Sequence, residues 1–301
     1  MPRGAGVPPS TAGGGLGGMV RAVWAAVRPV TGQQWFLWWC GTVLLASGLV
    51  HGVIALLDGG PWLGPVSWRK PVVFGLSFGL LAWSVVWVLR NLRSRAWGWV
   101  PVGLLGATSL IEVGLITLQR WRGVPSHFSR DPGFNEDVFS WMGMSVVLVV
   151  LALMIMLVWT AVGFRGARVA KIAAVAGLVA QLVAGWIGRD MIVAGEAVVD
   201  ATGQVPFDLV FGAAGSAKLA HAAGIHAIQV FAVLAILLGT RTRVMLAAVA
   251  GYAAVFAALA ATAYAGRAWT SPAPLIGVLG VAGVVVVLGA GLAALRRPAL
   301  G

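Results

Sequence analysis

Eight long apolar runs constrain this chain more than any other feature of its sequence. Each is long enough, at about 20 residues or more, to cross the hydrocarbon core of a bilayer as a helix. None shows the strict alternation of a barrel strand. The sequence therefore predicts an all-α fold, a polytopic integral membrane protein with eight transmembrane helices. The predicted spans are residues 35–57, 71–90, 97–119, 138–164, 168–194, 217–239, 243–266 and 274–295.

Charged residues predict the direction in which the helices run. If the N-terminus is cytoplasmic, most of the 21 basic residues and none of the nine acids fall in cytoplasmic segments. Because Lys and Arg accumulate in cytoplasmic loops, we expect both termini inside, in a bacterial cytoplasmic membrane. The same loops account for the net charge of +12, so we expect no nucleic-acid partner. The basic residues that fall in these predicted cytoplasmic segments are Arg3, Arg21, Arg28, Arg90, Arg93, Arg95, Arg165, Arg168, Lys171, Arg241, Arg243, Arg296 and Arg297.

The chain divides into a tail and one membrane domain. Residues 1–34 are predicted to form a disordered N-terminal tail, because its first part is rich in Gly and Pro. Residues 19–30 within this tail fit a short interfacial helix, and residues 35–297 form the eight-helix membrane domain. Cys40 is the single cysteine. Neither a disulfide nor a Cys-x-x-Cys metal site can form, and we expect no metal.

Glu112 is the acidic residue for which an ionised side chain in the bilayer would cost the most free energy. Thr108, Glu112 and Gln119 are spaced by four and seven residues, which places them on one face of the third span. A charged group at the bilayer centre costs about 2.5–3.5 kcal/mol on insertion scales. Glu112 must therefore be paired, protonated or exposed to a wet cavity. The candidate partners are Lys70, Arg120, Arg122 and Lys218.

A second polar group lies along the sixth span. At 100° per residue, Lys218, His221, His226 and Gln229 share an arc of about 140°. Small Ala and Gly residues separate them, and small residues let a neighbouring helix or a ligand approach closely. Together with the acid and with Gln181 on the fifth span, this arc predicts one polar cavity in the outer half of the bilayer.

Other polar residues are predicted to lie at the mouth of this cavity. Arg69 and Lys70 either extend to lipid headgroups or hold an anion at the start of the second span. His51 lies near the outer third of the first span. The segment 119–137, with Arg122 and His127, is either a re-entrant lid or an ordinary outer turn.

Three stretches resemble a family of bacterial multi-pass membrane proteins: "PVSWRKPVVFGLSFGL", "IEVGLITLQRWRGVPSHFSRDPGF" and "LAHAAGIHAIQV". The resemblance covers about residues 50–235 and implies no particular activity. It does fall on the same polar residues that helical geometry selects. In size and helix number the chain is also similar to bacterial integral-membrane terpene cyclases, a likeness of architecture without a shared motif.

The first functional hypothesis is a membrane enzyme that acts on a lipophilic, isoprenoid- or quinone-like substrate. Glu112 would be its general acid, assisted by His221, His226 and Asp208. We expect membrane lipids and this substrate as partners and no cofactor. The substrate-binding residues would be His51, Arg69, Lys70, Gln119, Arg122, His127, Lys218 and Gln229.

Two other hypotheses remain open from the sequence. A haem b or metal-binding redox protein needs two histidines on facing helices, with His51 opposite His221 or His226. A proton-coupled transporter would use Glu112 to bind protons. Polar residues are concentrated in one half of the bilayer, which makes a path across the membrane hard to draw.

Overall fold

The computed structural model describes residues 16–296, and this part of the chain is all-helical. Eight of its nine helices are long and apolar enough to cross a membrane, as the sequence predicts. A short 3-10 turn, Ala96–Gly98, precedes α4. The helices are α1 Leu16–Val27, α2 Gly32–Asp58, α3 Arg69–Arg90, α4 Trp99–Trp121, α5 Phe134–Gly163, α6 Arg168–Thr202, α7 Lys218–Leu238, α8 Thr242–Tyr264 and α9 Pro274–Leu295.

The predicted bounds are close to the observed ones except at the end of α6. The apolar run stops near residue 194, but the helix continues to Thr202 and has 35 residues. At 1.5 Å per residue it is about 52 Å long, well beyond the thickness of the hydrocarbon core. Glu196 and Asp200 end the apolar pattern without ending the helix. Gly203, with φ 67°, finally provides the left-handed residue that closes it.

Close contacts between glycines hold α2 against α3. A Cβ added to Gly75 would lie 2.9 Å from the Cα and N of Gly48. One added to Gly79 would lie 2.8 Å from the carbonyl oxygen of Gly41. The two backbones therefore touch, because no side chain separates them at these positions.

The helix α3 is central to the bundle. It contacts α1, α2, α4 and α7. Its second half, from Leu81 to Leu89, is buried in the largest apolar core. At the edge, α8 and α9 pack mainly on each other, and α9 leaves most of its apolar surface exposed. Such a surface suits a helix that faces lipid.

We call one end of the bundle the Lys70 end. The helix α3 begins there, and α2 and α4 have their last residues there. The opposite end carries the basic connections, where Gln33 donates to the carbonyl of Arg95 at 2.7 Å. Which end faces the cytoplasm remains a prediction. The predicted disorder of residues 1–15 and the positions of Arg3 and Arg297 fall outside the described residues.

Candidate functional site

Glu112 is buried inside the bundle, 1% exposed. On its own face of α4, Leu105 belongs to the largest core, and Ile116 belongs to a smaller cluster with Val138 and Met142 of α5, against which Phe74 of α3 packs. Glu112 lies between these two residues and therefore points toward α3 and α5. Its Oε2 is shielded, and within residues 16–296 it has no hydrogen-bond partner.

The two arginines that follow Glu112 bind other groups. Arg120 lies 3.5 Å from Asp58, at the end of α2. Arg122 donates to the side-chain oxygens of Gln119 at 2.6 Å and Asn135 at 2.7 Å. The amide of Gln119 donates to the same Asn135 oxygen at 3.3 Å. These contacts join α2 to α4 and α4 to α5, and they leave Glu112 without an arginine partner.

The two lysines also bind elsewhere, at the Lys70 end. Lys70 Nζ donates to Ser126 Oγ at 3.4 Å. Lys218 forms an ion pair with Asp208 in the α6–α7 connection. Partial burial alone would raise the pKa of Asp208, but the hydrogen bond and charge of Lys218 bring it below its ordinary value. The structure therefore places Asp208 with Lys218, not with Glu112.

The connection between α4 and α5 folds inward rather than outward. Phe128, with φ 64°, is its anchor, a left-handed conformation that is strained for a residue with a bulky side chain. Its ring is buried, 5.7 Å from the ring of Phe139, and a Cβ on Gly195 of α6 would collide with it. The connection is thus tied to α5 and α6.

His127 lies next to this anchor and faces α3. Its Nδ1 is 3.0 Å from Ser126 Oγ, and its ring centre is 5.9 Å from that of Phe74. Burial, and secondarily the charge of Lys70, lower the pKa of His127 to about 3. The imidazole is therefore neutral at physiological pH and adds no second positive charge beside Lys70.

The polar arc of α7 is divided between two neighbouring helices. His221 Nδ1 is 2.8 Å from the carbonyl oxygen of Ala184 on α6. Since a carbonyl only accepts, Nδ1 carries the hydrogen and Nε2 is the basic nitrogen. His226 Nε2 is 3.3 Å from Ser77 Oγ on α3. With its amide nitrogen turned toward the backbone, Gln229 donates to the carbonyls of His226 and Ile225.

Gln181 stays within the α6–α7 contact. Its amide donates to the carbonyl of Ile225 at 2.8 Å.

His51 lies among aromatic residues, where its ring is 6.0 Å from Trp68 and 6.2 Å from Trp121. His51, His221 and His226 thus contact different elements of the bundle, and haem b binding stays a hypothesis. Among the described residues, no group of three or more His, Cys, Asp or Glu side chains is arranged for a metal.

Contacts between helices show how far apart the lysines and Glu112 lie along the helix axes. The Ser77–His226 contact shows α3 and α7 side by side, and Lys70 and Lys218 lie seven and eight residues earlier, at the same end. In the antiparallel pair α3 and α4, the packing of Phe74 against the cluster that contains Ile116 places Glu112 near the level of Phe78. The lysines and Glu112 are thus separated by about 12 Å along the helix axis.

Several residues of this site were not identified from the sequence. Ser77 was detectable, because it lies two helical turns after Lys70 and shares its face. Asn135 and Ser126 are identified by contacts with the side chains of Gln119 and Lys70, which belong to other segments of the chain. The left-handed Phe128 has no sequence signal, since glycine is the residue expected in that conformation.

Comparison of the chain with family models, curated proteins and solved structures found no match. The functional conclusion therefore depends on the site.

Proposed function

We propose that this protein is an enzyme of the bacterial cytoplasmic membrane that acts by acid catalysis on a lipophilic, isoprenoid- or quinone-like substrate. Glu112 is its general acid. The observation that supports this most strongly is a carboxyl group buried within a membrane-spanning helix, with none of its four candidate cations beside it.

An unpaired carboxylate in such surroundings is costly, because neither water nor a counter-charge replaces its hydration. The neutral acid avoids this cost, and Glu112 therefore keeps a proton. A carboxylic acid that is not committed to a protein partner can donate this proton to a bound molecule. Its surroundings are apolar, since Leu105 and Ile116 on the same face of α4 both belong to apolar clusters, and they suit an apolar chain rather than a soluble substrate.

The proposed reaction returns the proton it uses. Glu112 donates a proton to a carbon–carbon double bond of the substrate, which leaves a carbocation on the lipid. Phe74 and Phe78 stabilise this cation through their ring faces. Loss of a proton from a neighbouring carbon forms a new double bond, and the Glu112 carboxylate accepts this proton and becomes the neutral acid again. The net change is an isomerisation or, with internal attack by a second double bond, a terpene cyclase-like ring closure.

Proton-coupled transport would use the same acid but needs a route to the other side of the membrane. Between Glu112 and the opposite end, α3 contributes a buried apolar segment from Leu81 to Leu89. The single serine of this segment, Ser84, bonds to the carbonyl of Leu80 in its own helix. A packed apolar region of this kind favours an enzyme over a transporter.

The test uses solvent deuterium, because the substrate is not known in advance. The full-length protein is incubated in D2O with the total-lipid extract of its host, and deuterium in each lipid is measured by mass spectrometry. Wild-type protein should label at least one isoprenoid or quinone, and Glu112→Gln should not. Glu136→Gln, which removes an acid from the first turn of α5, is the control and should retain labelling. Equal labelling by Glu112→Gln would refute the proposal.

A further inference from the structure

Three cations converge at the Lys70 end, and one carboxylate accompanies them. Arg69 and Lys70 begin α3, and Lys218 begins α7. We call these three residues the cationic cluster. Lys70 and Lys218 lie at one level, seven and eight residues before the Ser77–His226 contact that joins α3 to α7. Asp208 offsets one of the three charges, so the cluster retains an excess of about two positive charges at neutral pH.

Lys70 faces the interior of the bundle rather than the surrounding headgroups. Lys70 contacts Ser126 in the connection that Phe128 anchors against α6, and Ser126 Oγ lies 3.0 Å from Nδ1 of the half-buried His127. A lysine that only extends to lipid headgroups would point away from these groups. Lys70 is therefore covered by the protein and yet, among the described residues, lies beside no carboxylate within 4.0 Å.

Within residues 16–296, uncharged hydrogen-bond donors at the start of α3 and of α7 also lack partners. Ser67, two residues before α3, is 1% exposed, and its Oγ has no partner within the described part of the chain. The helix α7 begins at Lys218 without a capping side chain, so its first backbone amides are available. Hydroxyl and amide donors beside clustered cations are the groups that bind phosphate.

Two aromatic rings follow the cluster along α3. Phe74 and Phe78 follow Lys70 by four and eight residues on one face of α3, and their rings stack at 6.2 Å. Neither ring is fully buried. This face leads from Lys70 to the level of Glu112, about 12 Å along the helix.

We infer that the cationic cluster binds the phosphate-monoester head of an amphiphilic lipid, whose apolar tail runs along Phe74 and Phe78 toward Glu112. A dianionic head matches the charge excess of the cluster. This inference rests on the proposed function for the role of Glu112 and adds the substrate class. It also fixes the site of protonation on the tail, about 12 Å from the head.

The test measures binding, not turnover. Fluorescently labelled dioleoyl phosphatidate is titrated into the detergent-solubilised full-length protein. Lys70→Gln and Lys218→Gln should each weaken binding by about tenfold, as expected for loss of one charge-assisted contact. Lys70→Arg should retain it, which separates the loss of charge from misfolding. Asp208→Asn should tighten binding, because it removes the carboxylate that competes with the phosphate.

Arg189→Gln is the matched control. Arg189 lies at the depth of His221, one residue after Gly188, against which that histidine packs. Its side chain is 64% exposed and lies over the Trp186 ring. This variant removes the same unit charge at the same level and should change binding less than twofold.

Competition distinguishes the possible sources of the phosphate. Unlabelled dioleoyl phosphatidate should compete, while dioleoyl phosphatidylcholine and inorganic phosphate should not. If inorganic phosphate competes at equal concentration, the cluster binds free phosphate rather than a lipid head, and the inference is overturned. Unchanged binding in both Lys70→Gln and Lys218→Gln would also overturn it. Glu112→Gln should bind normally, so that a failure of acid catalysis and a failure of headgroup binding give different results.

Discussion

The indole Nε1 of Trp121 donates a hydrogen bond of 3.1 Å to Nε2 of His51. The other ring nitrogen of His51 lies 2.7 Å from the carbonyl oxygen of Ser47 in the preceding turn. Because a carbonyl only accepts, Nδ1 carries the hydrogen and Nε2 is the acceptor. Both nitrogens of the neutral ring are engaged, and His51 joins α2 to the end of α4.

The first prediction concerns the strength of this link. Trp121→Phe removes the indole donor and leaves His51 Nε2 without a partner, which should lower the free energy of unfolding by about 1 kcal/mol. Trp62→Phe is the control, since Trp62 is 47% exposed in the α2–α3 connection. Thermal unfolding in detergent measures both variants. A Trp121→Phe protein as stable as Trp62→Phe would show that the hydrogen bond contributes nothing.

The second prediction follows from the same engaged histidine. The purified protein should have a featureless visible spectrum, both oxidised and after reduction with dithionite. A Soret band that shifts on reduction and disappears in His51→Ala would contradict the assignment of His51. It would also favour a haem b protein over an acid-catalysing enzyme.

The third prediction uses two glycines one turn apart on α2. A Cβ on Gly48 would lie 2.9 Å from the backbone nitrogen of Leu76, whereas one on Gly52 has nothing within 4 Å. Gly48→Ala should therefore destabilise the protein by about 1–3 kcal/mol, because α2 and α3 must separate. Gly52→Ala should be neutral or slightly stabilising, since alanine is the better helix former. Equal unfolding temperatures would mean that α2 and α3 do not pack as described.

The fourth prediction is a pH dependence caused by His127. Its pKa is lowered to about 3 in the folded protein by burial and the charge of Lys70, and is about 6.5 when unfolded. Between these values the unfolded chain binds a proton that the folded protein does not, so stability falls as pH decreases from about 7 toward 3. His127→Asn should show a shallower decrease between pH 7 and 5. The same slope in both proteins would place His127 in an exposed position.

The span pattern made most of the fold predictable. Long apolar runs identify the membrane helices directly, because a bilayer leaves few alternatives for the backbone. The end of α6 was missed for the opposite reason. Outside the apolar core, polar residues such as Glu196 continue a helix without any periodic signal, and Gly203 determines where it stops.

The site was predictable only in part. Spacing along single helices correctly placed Glu112 and Gln119 on one buried face of α4. It did not reveal that Lys218 pairs with Asp208, or that His226 meets Ser77 across two helices. Such pairings depend on how helices approach each other, which in this chain is set by glycines such as Gly48 and Gly75. Helical periodicity contains no information about that approach.

The protonation state of Glu112 tests the central claim most directly. An infrared difference spectrum between wild type and Glu112→Gln at neutral pH, with Glu136→Gln as control, detects the carbonyl band of a protonated carboxylic acid. The buried, unpartnered position predicts that this band is present in the wild type and in Glu136→Gln and is lost in Glu112→Gln. A loss of carboxylate bands instead would show that Glu112 is ionised and paired, and would contradict its role as the acid.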